Sequence, residues 1–117
     1  MKFRLHHVNI VVDDIDAATH FYTEILGLPV LDDRINPSAP GGHFAASEGQ
    51  IHITLGETFP ERGQHFALEV DDFEATIKEL EANGGTVTRA ADPLRKQAAI
   101  YDPAGNRIEI RAVEVWQ

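Results

Sequence analysis

The sequence predicts an α+β fold made of two tandem copies of one strand, helix and three-strand unit, and three observations carry that prediction. The chain returns on itself: Leu5-His6-His7-Val8-Asn9-Ile10-Val11-Val12-Asp13-Asp14 comes back as Gly63-Gln64-His65-Phe66-Ala67-Leu68-Glu69-Val70-Asp71-Asp72. His7, Val12 and Asp14 each stand 58 residues before His65, Val70 and Asp72. Each copy then runs through helical apolar spacing to a glycine, Gly27 in one half and Gly84-Gly85 in the other. The later segments of both halves alternate apolar and polar residues with the period of a strand.

At 117 residues the chain can hold one domain with a core but not two ordinary independent ones, so the repeat lies within a single domain, 1–117. Module 1 is expected over about residues 1–56, a linker over 57–63 with Pro60 inside it, and module 2 over 64–117. Nineteen acidic against ten basic residues give a net charge of −9, which argues against a nucleic-acid footprint. With no cysteine, disulfide and thiolate chemistry are excluded, and any metal must be held by nitrogen and oxygen. No apolar run reaches bilayer length and no basic, apolar leader opens the chain, so the expectation is a cytoplasmic protein without a membrane partner.

Taken in order, Arg4 to Val12 is β-branched and apolar and reads as a strand, with His7, Asn9 and Val11 on one face and His6, Val8 and Ile10 on the other. Asp14 or Asp16 caps a helix whose apolar residues Ile15, Ala18, Phe21, Tyr22, Ile25 and Leu26 end at Gly27. Leu28 to Arg34 reads as a second strand, and Asn36 to Gly42 as a proline- and glycine-rich loop. His43–Ser47 and Gln50–Leu55 form a hairpin closed through Glu48-Gly49. In the second half, a strand is expected from Gln64 to Val70 and a helix from about Phe73 to Asn83, opened by an Asp71–Glu74 capping box. Strands follow near Thr86–Arg89, Gln97–Tyr101 and Asn106–Ala112, the last two joined by the Asp102-Pro103-Ala104-Gly105-Asn106 turn.

The polar residues of these strands carry the chemistry. His52 sits between Ile51 and Ile53, and Glu109 sits 57 residues later between Ile108 and Ile110. Ile51/Ile53/Leu55, Phe66/Leu68/Val70 and Ile108/Ile110 take the parity that packs under a helix, which leaves His52, His65 and Glu109 on the opposite face. The repeat adds His7 to them, although its strand is apolar on both faces and parity does not choose between His6 and His7. Three imidazoles and a carboxylate suit one borderline divalent ion such as Zn, Ni, Co, Mn or Fe, and suit Ca or Mg poorly. Asn9 and Thr54 share the ligand face and could bond a substrate oxygen, as could His43 from its loop; Arg95, Lys96 and Arg111 are candidates for an anionic group. His6 and His20 are assigned as structural or exposed, and Trp116 as a lid over apolar surface or a subunit contact.

The run Leu5-x-His7-Val8-x-Ile10-x-Val12-x-Asp14, with Phe21-Tyr22, Leu26-Gly27-Leu28, Gln50-Ile51-His52-Ile53, His65 through Asp72 and Asp102-Pro103-Ala104-Gly105-Asn106-Arg107-Ile108-Glu109-Ile110, resembles the vicinal oxygen chelate superfamily. That group includes glyoxalase I, methylmalonyl-CoA epimerase, fosfomycin-resistance thiol transferases, extradiol dioxygenases and bleomycin-resistance proteins. The resemblance implies paired βαβββ modules curving into an eight-stranded, U-shaped, open barrel-like sheet around a metal, with ligands at His7, His52, His65 and Glu109. It also implies a homodimer. The function expected is a glyoxalase-like lyase or isomerase that chelates a small substrate through adjacent oxygens and stabilises an enolate-like intermediate, with Glu109 or a metal-bound hydroxide as base. In bacterial-type glyoxalase I the position of His52 looks like a glutamate, so one of two candidate carboxylate bases is replaced here by an imidazole. The alternatives are an extradiol-type dioxygenase using Fe(II) and a non-catalytic small-molecule binding or resistance protein.

Overall fold

A computed structural model describes residues 1–113 and divides the chain into two compact units, the first over Met1–Phe59 and the second beginning at Pro60. In the first unit, strand β1 (His7–Val12) is followed by helix α1 (Ile15–His20), a π-helical turn (Phe21–Ile25), β2 (Gly41–Ala46) and β3 (Gly49–Leu55). The sheet order is β1-β3-β2, with β1 parallel and β2 antiparallel to β3. In the second unit, β4 (His65–Val70), α2 (Phe73–Ala82), β5 (Val87–Arg89), β6 (Gln97–Tyr101) and β7 (Arg107–Ala112) form a sheet of order β4-β7-β6-β5, with only β4 and β7 parallel. Both sheets are open. Among the described residues no helix is long and apolar enough to cross a membrane.

Both helices begin in the same way. Asp14 and Asp72 have extended backbones, and their carboxylates accept from the backbone N–H of Ala17 and Ala75 respectively, satisfying a donor that the first turn cannot. The cap of α2 is therefore Asp72 and not the expected Asp71, because Asp72 stands at the end of the extended segment. The α1 segment changes its winding after His20: Leu26 N–H reaches back five residues to Phe21 O and Leu28 N–H six to Tyr22 O. This π turn buries the adjacent Phe21 and Tyr22 together, with Tyr22 stacked on Phe44 of β2 at 5.6 Å between centroids.

The expected strand at Leu28–Arg34 is reduced to one bridge, Val30 with Phe44, flanked by Leu31 N–H to His43 O and Ala45 N–H to Pro29 O. Pro29 has no N–H to extend the ladder, and beyond Leu31 the chain turns through exposed Asp32 and Asp33. Seven strands, and not eight, are thus present among the described residues, and the first opens at His7 instead of Arg4. In each unit one sheet face packs on its helix: Ile10, Val12, Phe44, Ile51 and Ile53 with Ala18, Phe21 and Tyr22 in the first, and Ala98, Ile100, Ile108 and Ile110 with Phe73, Ile77 and Leu80 in the second. Gly41 lies so close to β3 that a Cβ there would meet Ile53 O at 2.7 Å, which explains glycine at the entry to β2. Trp116 falls outside the described residues.

Candidate functional site

In the first unit, register places the polar residues of three strands side by side. His7 pairs with Gln50, Asn9 with His52 and Val11 with Thr54 across β1 and β3, while His43 faces His52 across β2 and β3. Paired residues share a sheet face, so these side chains stand together on the face away from the helix. The rings form a stack: His7 and His52 have centroids 3.9 Å apart with planes at 14°, and His52 and His43 have centroids 3.4 Å apart. His6 adds an edge, its Nδ1 lying 2.8 Å from His7 Nδ1. His6 thus belongs to the cluster, although parity along the strand placed it on the other face; it precedes the first residue of β1, where strict alternation does not hold. His20 is exposed at the end of α1, as expected. Asn9 Nδ2 donates to Thr54 Oγ1 at 3.1 Å, so those two candidates are brought together as well.

A hydrogen-bonded chain behind the stack fixes which nitrogens are available. Asp33, a residue sequence reasoning passed over, accepts from His43 Nδ1 at 2.8 Å and from Gln50 Nε2 at 3.1 Å. The bond from His43 holds the Asp33 carboxyl below its ordinary value. With its amide nitrogen on the carboxylate, Gln50 presents Oε1 to His52 Nε2 at 2.7 Å. An amide oxygen accepts only, so His52 Nε2 carries the proton and Nδ1 keeps the lone pair. Burial first, and then the neighbouring His43 and His7 rings, push the His52 imidazole below its usual value, with Asp33 opposing. A neutral imidazole is the form that binds a metal. His43 also lines a cavity of about 190 Å³ at the sheet edge with Thr19, Val30 and Arg34.

In the second unit, His65 lies opposite Arg107 and Glu109 opposite Ala67 across the parallel β4 and β7 pair. His65 and Glu109 therefore share the face turned away from Ile108 and Ile110, two residues apart along the strands. His65 Nδ1 is 2.8 Å from Gly63 O, and a carbonyl can only accept, so Nε2 is left with its lone pair. Glu109 is largely buried, with Oε2 3.7 Å from Arg111 Nη1, a contact too long for a hydrogen bond. Arg95 and Lys96 are exposed in the turn before β6. Within neither unit do three or more described histidine, aspartate or glutamate side chains gather into an ion-sized cluster. The donors fit a divalent ion chemically: the imidazoles of His52 and His65 each have one nitrogen tied back and the other free, as in metal-ligating histidines.

A strand-helix-strand plan repeated over two open sheets, each with a helix on one face and imidazole or carboxylate donors on the other, defines a two-module α+β protein. The chain belongs to the Glyoxalase/Bleomycin resistance protein/Dioxygenase superfamily, whose sequence pattern matches residues 4–110. It is 32% identical over 118 residues to the lactoylglutathione lyase of Haemophilus influenzae, covering 88% of this chain and 87% of that one. Among solved structures, a Bacillus anthracis protein described as of the glyoxalase family superposes with a TM-score of 0.84 at 25% identity, covering 97% of this chain and 98% of that one. An E126Q mutant of the Listeria monocytogenes fosfomycin resistance protein FosX, complexed with Mn(II) and 1S,2S-dihydroxypropylphosphonic acid, has the same fold. Its TM-score is 0.79 at 18% identity, over 98% of this chain and 96% of that one. These relationships make the chain a glyoxalase-like enzyme.

Proposed function

We propose that the chain is a divalent-metal-dependent lyase or isomerase acting on a small substrate with two neighbouring oxygens, and that His7, His52, His65 and Glu109 are its metal ligands. The observation that carries this reading is the availability of the donors: on each helix-free face a repeat-related imidazole keeps a free lone pair, His52 and His65 being tied back through their other nitrogen. Zn, Ni, Co, Mn and Fe all suit such a set; when bound, the ion supplies Lewis acidity to the substrate oxygens. Glu109 moves the proton. Its carboxylate is largely buried and not locked into a tight ion pair, so it can both take a proton from carbon and return it. Asn9 and Thr54 orient the substrate through hydrogen bonds, and the neutral His52 takes the place of the carboxylate that the resemblance to glyoxalase I leads one to expect. A homodimer and a cytoplasmic setting complete the proposal.

Lactoylglutathione is the first substrate to assay, on the strength of the Haemophilus relative. Elemental analysis of the purified protein should find about one equivalent of a transition metal per chain, chelator should abolish turnover, and readdition should restore it. His65→Ala should weaken metal binding by at least tenfold, while Glu109→Gln should cost turnover more than metal affinity if the proton role is right. Failure to take up metal after reconstitution would overturn the reading in favour of a non-catalytic binding protein.

A further inference from the structure

Arg107 is the first residue of β7, opposite His65 on β4 and Tyr101 on β6. Register therefore puts its side chain on the same face as His65 and Glu109. It is half-buried, and its Nε is fully buried with no hydrogen-bond partner among the described residues. The other arginines with described contacts are occupied: Arg89 forks onto both carboxylate oxygens of Glu74, and Arg34 bonds the carbonyls of Pro37 and Ala39. Arg111, on the same face as Arg107, sits opposite Glu69 and beside Glu109.

A guanidinium cannot discard its charge, and it presents donors in a rigid planar fork that matches a carboxylate. A buried donor left without an acceptor is destabilising, and native proteins leave few such groups without a purpose. Glu109 is two residues away on the same strand but leans toward Arg111. We propose that Arg107 docks a carboxylate of the substrate, so that the small molecule bound on this face is an anion. Arg107 then takes the anion-binding role that sequence alone suggested for Arg95 and Arg111. The inference rests on the reading of the His65 and Glu109 face as the substrate face, and it narrows the substrates to oxygen-rich acids.

The test uses propionate as a carboxylate probe, propionamide as its neutral counterpart and inorganic phosphate as a competing oxyanion, each titrated by NMR into the purified full-length chain. Propionate is expected to shift the Arg107 Nε–H resonance and the His65 and Glu109 amides saturably, with propionamide leaving them unmoved. Arg107→Gln should lose at least tenfold in propionate affinity, and Arg107→Lys should fall between, keeping charge but not the fork. Equal propionate affinity in wild type and Arg107→Gln, equal binding of propionamide, or tighter binding of phosphate would each overturn the proposal. The Nε–H signal of the wild type decides the matter even if Arg107→Gln does not fold. Mn(II) alone, followed by electron paramagnetic resonance, should bind wild type and Arg107→Gln equally. Arg107-dependent propionate binding without Mn(II) binding would sink the metal reading and leave this inference standing; the reverse pattern would sink this inference alone.

Discussion

His43 and His52 lie face to face, with ring centroids 3.4 Å apart and planes within 7° of parallel. Burial disfavours a charged His52 imidazole and the stacked His43 ring adds to the effect, so His52 should titrate below the ordinary 6.5. An NMR titration of the ring carbons measures this, and a midpoint at or above 6.5 would contradict it. Between the lowered midpoint and 6.5 the unfolded chain binds more protons than the folded one. Stability therefore rises with pH across that window and falls as pH drops through it. His43→Gln, which removes a neighbouring charge, should bring the midpoint up. Asp33→Asn should lower it further, because the carboxylate opposes the shift.

The Gln50 amide sets the His52 tautomer. Gln50→Leu keeps the bulk but removes the acceptor for Nε2–H, freeing the ring to exchange tautomers and rotate. The expected result is metal binding weaker by about 10–100-fold, the usual cost of losing a ligand's outer hydrogen bond. Competition with a chromogenic chelator gives the affinity, and nitrogen shifts of the His52 ring give the tautomer. Unchanged values of both would show that the amide does not position the ring.

Asp102 is buried, and its carboxylate gathers the turn before β7: Oδ1 accepts from Ala104 N–H at 3.0 Å and Asn106 N–H at 2.8 Å, and Oδ2 from Asn106 Nδ2 at 2.9 Å. Asp102→Ala strands these donors and should cost about 2–4 kcal/mol of stability in denaturant unfolding. Asp102→Asn should cost less, since its amide oxygen can still accept. A loss below about 0.5 kcal/mol for the alanine variant would mean that water replaces the carboxylate without difficulty.

Local and periodic features were legible in the sequence. Alternation along a strand is a property of covalent geometry, so His52 and Glu109 could be placed on the faces opposite their isoleucine neighbours, and the two aspartate-capped helices followed from side-chain chemistry within one turn. What escaped was tertiary. Asp33 reaches His43 and Gln50 only because the segment after Pro29 runs along the edge of β2 as a bridge and not as a strand. The open valence of Arg107 exists only once its neighbours are in place. Nothing in the spacing of Phe21, Tyr22 and Ile25 separated a π turn from an ordinary helix, since both bury one stripe.

That π turn accounts for a difference in spacing between the two halves. The helix caps Asp14 and Asp72 are 58 residues apart, yet the glycines with positive φ that follow the helices, Gly27 and Gly84, are 57 apart, as are His52 and Glu109. The first copy thus contains one more residue between cap and glycine, in the stretch where the backbone winds five residues to a hydrogen bond instead of four. The extra residue is taken up as a widened coil, so that β7 still follows β3 by the same 57 residues that separate the two glycines.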